Sequence, residues 1–502
     1  MGGCVVLGET RRELDDLRAA GARAASGFRD LGVGREDRIA TLARNSFESF
    51  EAAFAAAALG AYVVPVNWHS AAPELDYILA DSGAKVLVAQ ADLLEKMGDG
   101  ISFDIPVFSA SDDGREPLVG GRRIPDWKTW YESREPIDTS PPPPAGTMIY
   151  TSGTTGKPKG VRRMVPKPEN LPAISRIVNL VFGLDLPGRM RTVMTGPMYH
   201  SAPHNWAMTS ARVDAHIVLQ ERFDAAELLR LVEEHRITHL QMVPTMFWRL
   251  LKLPEEVRNR YDLSSLKFVV HAAAPCPPEV KRQMLDWWGP VIYEYYGASE
   301  TGPITFSTPD DALKKPGSIG RLVEGAVLKV VDADGAELPT GEVGEFYMRQ
   351  TLWPPFEYHG RPEATRDVEK DGLVTVGDMG YVDEDGYVFM LDRAKDMVIS
   401  GGANIYPAEI EAVLLGHPEI QDCAVIGVPD EEYGELVMAV VQGAESGSLS
   451  DPALRAWLDG RMAKNKIPRR FVFRSELPRE DSGKIFKNRL RDEFWKGAER
   501  RI

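Results

Sequence analysis

Cysteine is scarce in this sequence. Cys4, Cys276 and Cys423 are the only three among 502 residues and lie far apart, so neither a disulfide framework nor a zinc-ligand spacing is available. Positive charge is also in deficit: 59 Lys and Arg face 74 Asp and Glu, for a formal net charge of -15. Without a general basic field, broad binding to nucleic acid or to an anionic membrane is excluded, and any phosphate site has to be local. A membrane-spanning run is missing too. The longest apolar stretch, 52–66, falls short of the ~20 residues a spanning helix needs and contains Gly60 and Pro65, so it reads as a buried helix passing into a strand. The chain leads directly into "ETRRELDDLRAAGARAASGF" with no signal-peptide core. Together these absences set the expectation of a protein of the reducing cytoplasm.

What is present is an ordinary globular composition, 43% hydrophobic and 26% charged, in a chain too long for one core. Leu14, Leu17, Ala24, Phe28 and Leu31 follow helical spacing up to Gly32. "DRIATLA", "AYVVPVN" and "AKVLVAQ" read as strands, with "SFESFEAAFAAAALG" and "PELDYILADSG" as the helices between them. "AAELLRLVEEHR" with "ITHLQMVP", then "TMFWRLLKLP" with "LKFVVHAAAP", repeat the beat, which implies parallel sheets with helices on their faces. The proline-rich 140–146 is a stiff connector. After Gly317, "VDADGAELPTGEVGEFYMR" and "YVDEDGYVFMLDR" read as antiparallel strands joined by Asp-Gly turns. From Asp396 a compact mixed pattern begins, which places a domain boundary near 393–395.

The stretch "YTSGTTGKPKGV" at 150–161 is poor core material, being small, hydroxylated and doubly lysine-bearing. Its glycines allow backbone N–H groups to approach an anion, its hydroxyls donate and its lysines add charge. A Walker loop is ruled out, because Pro158 stands where that pattern requires its second glycine. Taken alone, the stretch is equally compatible with a surface linker, although Lys157 and Lys159 flanking a rigid Pro158 argue against one.

In "YTSGTTGKPKGV" the chain resembles the adenylate-forming superfamily of acyl- and aryl-CoA synthetases, luciferases and peptide-synthetase adenylation domains. "PMYHSAP" (197–203), "HAAAP" (271–275), "YYGASETG" (295–302), "GDMGYVDEDGY" (377–387), "DRAKDMVISGGANIYPAEIE" (392–411) and "EDSGKIFKNRLR" (480–491) continue the resemblance in order. It implies an α/β fold: a large domain (1–393) of parallel α/β layers plus a β-rich subdomain, and a small mobile α+β domain (394–502). By the same resemblance ATP is held by Thr151, Ser152, Gly153, Thr154, Thr155, Gly156, Lys159, Ala273, Ala274, Pro275, Tyr295, Tyr296, Gly297, Ser299, Asp378 and Arg393. Glu300, a carboxylate beside a triphosphate, is a natural Mg²⁺ ligand. Tyr296 offers a flat face to adenine, and Asp378 can accept from two ribose hydroxyls at once. His200 would stand between carboxylate and nucleotide, and Lys484 is implied as the catalytic lysine bridging carboxylate and α-phosphate. Lys395 matches the hinge, and Gly401 and Gly402 match the channel for the coenzyme A thiol. Ala202, His204, Trp206, Ala272, Ala273, Gly297 and Ala298 are expected to line the acyl pocket.

Two departures stand out. After Val161 the family's Thr-His or Ser-His pair is replaced by "RRMVPKPENLP", and the segment before the first helix is shorter than in many relatives. Ser299 takes the place of the usual threonine and keeps its hydroxyl. The expected activity is that of a carboxylic acid:CoA ligase working through an acyl-adenylate, on a fatty or other bulky hydrophobic acid, with aromatic or steroid-type acids as the alternative. A ligase loading a carrier protein and a luciferase-like oxygenase use the same motifs. A hydrolase elbow is absent, because Thr301 stands where G-x-S-x-G needs its last glycine. The partners expected are the small acid, ATP and coenzyme A, without nucleic acid; the oligomeric state is open, a homodimer included.

Overall fold

Continuous apolar runs become parallel strands here because both faces of the sheets are covered. The computed structural model describes residues 2–101, 104–138, 146–151, 157–443, 449–479 and 485–495. In the first sheet the strands Val107–Ala110, Val86–Gln90, Arg38–Leu42, Tyr62–Val66 and Gly146–Thr147 lie side by side, all parallel. Ile39, Val63, Val86, Val88 and Phe108 pack on one face against Ala24, Phe28, Ala52 and Ala55 of the helices Leu14–Asp30 and Phe47–Leu59. Ala40, Leu42, Val64 and Leu87 point to the other face, against Leu75 and Ile78 of the helix Ala72–Ser82. Pro65 is tolerated inside a strand because the outer neighbour, Gly146–Thr147, pairs only with Tyr62 and Val63.

A nine-stranded sheet carries the site. Cys4–Leu7, His216–Leu219, Arg191–Met194, His239–Met242, Phe268–His271 and Ile292–Ala298 run parallel, with Thr10–Glu13, Gly302–Ser307 and Arg321–Leu322 antiparallel at the two edges. The hairpin of Cys4–Leu7 with Thr10–Glu13 closes through Gly8 and Glu9, with Gly8 at φ +57°.

Beyond Gly317 the strands turn antiparallel, as expected: Ala326–Val331, Gly344–Gln350, Asp378–Val382 and Val388–Arg393 form most of a six-stranded sheet. The second Asp-Gly turn closes Asp378–Val382 onto Val388–Arg393. The first differs from expectation, because Ala326–Val331 pairs with Gly344–Gln350 across a longer connection, 332–343, in which Gly335 makes only a local bend.

A separate C-terminal domain follows. Val398–Ser400, Ala403–Ile405, Ile420–Asp430, Gly434–Gly443 and Arg470–Phe473 make its sheet, so the change of sheet falls within 394–397. It rests on the rest of the chain through the Trp248 indole, which donates to the Gln421 carbonyl (2.8 Å), and the Lys252 ammonium, which donates to the Pro418 carbonyl (3.1 Å). Among the described residues no helix is long and apolar enough to cross a membrane.

Candidate active site

A cavity of about 1590 Å³ opens where these sheets meet the C-terminal domain. The strand Ile292–Ala298 crosses its floor and pairs with Gly302–Ser307 through a register shift at Tyr296 and Gly297. Only glycine fits position 297, since a Cβ there would lie 2.1 Å from the Gly302 carbonyl oxygen. The bulge throws residues 298–301 into a turn that the Thr301 hydroxyl closes by accepting from the Ala298 N–H at 2.9 Å. Ser299 and Glu300 project from this turn into the cavity.

Two residues that the sequence did not single out fix the turn. Tyr358 donates its hydroxyl to Glu300 Oε1 at 2.9 Å. Arg163, from the segment that departs from the family pattern, donates to the carbonyls of Ser299 and Pro354. Burial pulls its guanidinium down to about 10, against the upward pull of Glu300. Lys159 is 9% exposed and sets its ammonium 4.9 Å from the centre of the Tyr358 ring. Thr151 lines the cavity on the other side of the loop, whose residues Ser152, Gly153, Thr154, Thr155 and Gly156 lie outside the described residues.

Asp378 is the most demanding group in the cavity. Only 4% exposed, it accepts the Tyr296 hydroxyl on Oδ2 at 2.6 Å, while its Oδ1 is buried with no hydrogen-bond donor. Arg393, one strand across, brings Nε to 3.4 Å of Oδ1, an ion pair without hydrogen-bond geometry. Burial pushes the Asp378 carboxyl up and Arg393 pulls it back only in part. Burial and the Asp378 charge hold the Tyr296 phenol well above its ordinary range. A buried carboxylate oxygen without a donor is costly, and two vicinal hydroxyls of a bound sugar would satisfy it. Nearby, Ala273 adopts φ +73°, a conformation that non-glycine residues avoid, and with Ala274 and Pro275 it lines the same wall.

These residues fit a nucleotide triphosphate. Among the described residues no group of three His, Cys, Asp or Glu could hold a metal ion. A magnesium ion would therefore rest on Glu300 together with phosphate and water oxygens, its usual coordination in phosphate sites.

Ala202, Ala272 and Ala298, expected at the acyl pocket, line the cavity together with Val178, Val181, Phe182, Pro303 and Trp353. His204 and Trp206 do not, and their placement corrects the sequence expectation. Along the helix Ser201–Arg212 the cavity is lined by Ser201, Ala202 and Pro203 of the first turn and beyond it by Asn205 and Thr209, four residues apart on one face. His204 lies on the opposite side, 3% exposed, with Nδ1 3.2 Å from the Met198 carbonyl and its pKa lowered to about 4 by burial. Trp206 turns behind Phe182, stacks on it at 5.1 Å and donates Nε1–H to the Thr192 hydroxyl at 2.9 Å. It supports the wall from the core side.

His200 stands at the N-terminal edge of the same helix, half-buried, lining the cavity beside Tyr199. Tyr295, expected at the nucleotide, lines the cavity and packs against the cluster that contains Phe182 and Trp206. Lys395 lines the cavity at the joint between sheets, and burial, helped by the like charge of Arg393, lowers its pKa. Gly401 and Gly402 close the hairpin of Val398–Ser400 and Ala403–Ile405 at φ +56° and +81°. They are exposed and outside the cavity wall in this arrangement of the domains. Lys484 lies outside the described residues, while its neighbours Ile485, Phe486 and Lys487 line the cavity.

Residues 5–352 match the AMP-binding enzyme family, and residues 409–484 match the AMP-binding enzyme C-terminal domain. A feruloyl-CoA synthase from Amycolatopsis sp is 34% identical over 496 residues, covering 97% of this chain and 95% of that one. The long-chain-fatty-acid–CoA ligase FadD13 of Mycobacterium tuberculosis is 32% identical over 492 residues, covering 97% and 94%. Among solved structures, ATP-bound MatB from Rhodopseudomonas palustris superposes with a TM-score of 0.83 at 28% identity, covering 99% of this chain and 96% of that one.

Proposed function

Because this chain belongs to the AMP-binding enzyme family and is an AMP-forming acid–thiol ligase, we propose that it converts a bulky hydrophobic carboxylic acid to its CoA thioester through an acyl-adenylate. The observation that carries this reading is the donor-less Oδ1 of Asp378, buried beside Tyr296 and Arg393 in the cavity that also holds Glu300 and Lys159. Asp378 and Arg393 take the ribose, Tyr296 and the Ala273 wall take adenine, and the loop from Thr151 to Lys159 takes the phosphates.

The acid lies along Phe182, Val178, Ala202 and Trp353 with its carboxylate toward His200. The carboxylate oxygen attacks the α-phosphorus, the bond to the pyrophosphate oxygen breaks, and cationic side chains, Lys484 foremost, stabilise the charge that builds. Thiol attack on the acyl carbon then expels AMP, a far better leaving group than oxide. The domain division is placed at 393/394, with Lys395 as the hinge that brings Gly401 and Gly402 to the nucleotide for the second step.

The apolar lining supports a fatty or other bulky acid. A ring-bearing acid is the second reading, favoured by the aromatic faces of Phe182, Tyr295 and Trp353. A panel of carboxylic acids, assayed by AMP release with and without CoA, tests the proposal. AMP release on bulky apolar acids that requires CoA is expected. Turnover confined to acetate or amino acids refutes the substrate reading, and acid-dependent pyrophosphate release with a thioester formed only on a carrier protein refutes CoA as the acceptor.

A further inference from the structure

Both flanks of the phosphate loop are fastened to one turn of one helix that belongs to a different sheet. On the helix Ala72–Ser82, Tyr77 and Asp81 are four residues apart and so share a face. Tyr150, on the strand that leads into the loop, donates its hydroxyl to Asp81 Oδ2 at 2.8 Å. Tyr77 donates its hydroxyl to the carbonyl of Pro158, just after the loop, at 2.8 Å. Arg361, ahead of the helix Pro362–Asp367, donates to Asp81 Oδ1 at 2.7 Å and to the Tyr77 hydroxyl oxygen. The Lys157 ammonium lies 5.2 Å from the centre of the Tyr77 ring. Tyr150 and Pro158 line the cavity, whereas Tyr77, Asp81 and Arg361 stand behind them.

None of these contacts is needed to close the β-hairpin itself, which already pairs Tyr150 with Gly160 and Thr151 with Lys159. What they add is a fixed position for its two stems relative to the nucleotide wall. A loop of small residues loses conformational freedom when it wraps an anion, and holding its stems beforehand reduces that cost. The carboxylate of Asp81 would by itself oppose a nearby triphosphate; its pairing with Arg361 neutralises it.

We propose that Asp81, with Tyr77 and Arg361, is a positioning unit that sets the affinity of the loop for the β- and γ-phosphates of ATP without touching the nucleotide. This rests on the reading of the loop as the triphosphate site. The test measures dissociation constants of a non-hydrolysable Mg·ATP analogue and of AMP for the full chain and its variants, beside their melting temperatures. Tyr150→Phe removes one hydrogen bond and should weaken the analogue about 3- to 10-fold; Tyr77→Phe removes both the bond to Pro158 and the one accepted from Arg361 and should weaken it at least as much, each leaving AMP, which lacks those phosphates, unchanged. Arg361→Gln uncovers the Asp81 charge and should weaken the analogue more than either, with Arg361→Lys recovering part of the loss and so separating charge from misfolding. Loss of AMP and analogue affinity in parallel, or no loss of either in a folded variant, overturns the positioning role. Failure of the unmutated protein to bind the analogue at all would instead overturn the triphosphate reading and the inference with it.

Discussion

Replacing Asp378 by asparagine should strengthen the fold and weaken nucleotide binding at once. Folding moves this carboxyl above its ordinary pKa, because burial outweighs the help of Arg393. The sign follows from linkage: ionisation is unfavourable in the folded state, so the penalty is absent below the ordinary carboxylate range. It grows as pH rises through the ordinary range and is carried in full above the raised value. The asparagine amide would keep an oxygen for the Tyr296 hydroxyl and lose the charge. Arg393 is more than a third exposed and can be solvated instead, so the lost ion pair counts for little. The amide NH₂ then takes the partnerless position beside Arg393, so the gain is the relief of burying a charge less the cost of an unsatisfied donor, and each kcal/mol that remains moves a melting temperature by roughly 2–4 °C in domains of 150–250 residues. A rise of a few degrees in the ligand-free protein is expected. Binding should move the other way. Charge-assisted hydrogen bonds are worth about 1.5–3 kcal/mol, so the dissociation constants of ATP and AMP should rise about 10- to 150-fold. Isothermal titration with each nucleotide and a thermal scan of the ligand-free protein at pH 7 and pH 4 decide the matter. The gain in melting temperature should shrink at the lower pH. Unchanged nucleotide affinity, or a melting temperature that falls, would refute the assignment of the donor-less oxygen to the ribose.

Lys484→Ala should slow acid-dependent pyrophosphate exchange by about 10²–10³-fold while leaving thioester formation from supplied acyl-adenylate intact; equal loss in both steps would contradict a role confined to adenylation. Glu300→Gln should slow the initial rate and raise the magnesium concentration it needs, and Tyr358→Phe, which removes the phenol that holds Glu300 at 2.9 Å, should raise it less; a magnesium titration unchanged in both variants would take Glu300 out of the metal site. Trp206→Ala should cost about 3–5 kcal/mol of stability, as buried aromatic truncations do, whereas Ala202→Trp should leave the melting temperature nearly unchanged and selectively depress kcat/KM for bulky acids. The reverse pattern, measured by thermal denaturation and an acid panel, would restore Trp206 to the pocket.

How much of this could be read beforehand depended on where each residue finds its partner. The parallel strands were legible because burial on both faces leaves uninterrupted apolar runs such as "YVVPV", and the antiparallel region because Gly386 marks a turn that sequence chemistry demands. The strand Cys4–Leu7 was not, being only four residues long with its partner at His216–Leu219. In the site, Tyr296, Glu300, Asp378 and Arg393 were singled out and stand together. Arg163 and Tyr358 were missed, since their importance arises from pairing of segments some two hundred residues apart, Lys159–Arg163 with Phe356–Tyr358, and Phe182 was missed because its place comes from the packing of the helix Leu171–Phe182 against Trp206. His204 and Trp206 were misplaced because a motif gives the residues of a helix without its rotation. The packing of Trp206 between Phe182 and Thr192, with Ala207 and Ala211 buried beside it, sets that phase.

The hairpin at the start of the chain also sets a timetable. Cys4–Leu7 leaves the ribosome long before the strand beside which it runs parallel, His216–Leu219, which follows more than two hundred residues later. At ~5–20 residues per second, synthesis of the intervening chain takes about 10–40 s. During that wait the five-stranded sheet, whose strands lie within residues 38–147, can close around its own local contacts, while "CVVL" has nothing to pair with. An unpaired apolar strand is a sticky one, and Arg11 and Arg12, which follow it directly on the hairpin's other arm, are the kind of charged neighbours that keep such a segment from finding a wrong partner. A nascent chain stalled before residue 219 should therefore carry a finished first sheet and a still-waiting N-terminal strand. The nine-stranded sheet, which holds the turn of Ser299 and Glu300, would then become continuous only after Arg321–Leu322 has followed, long after the first sheet.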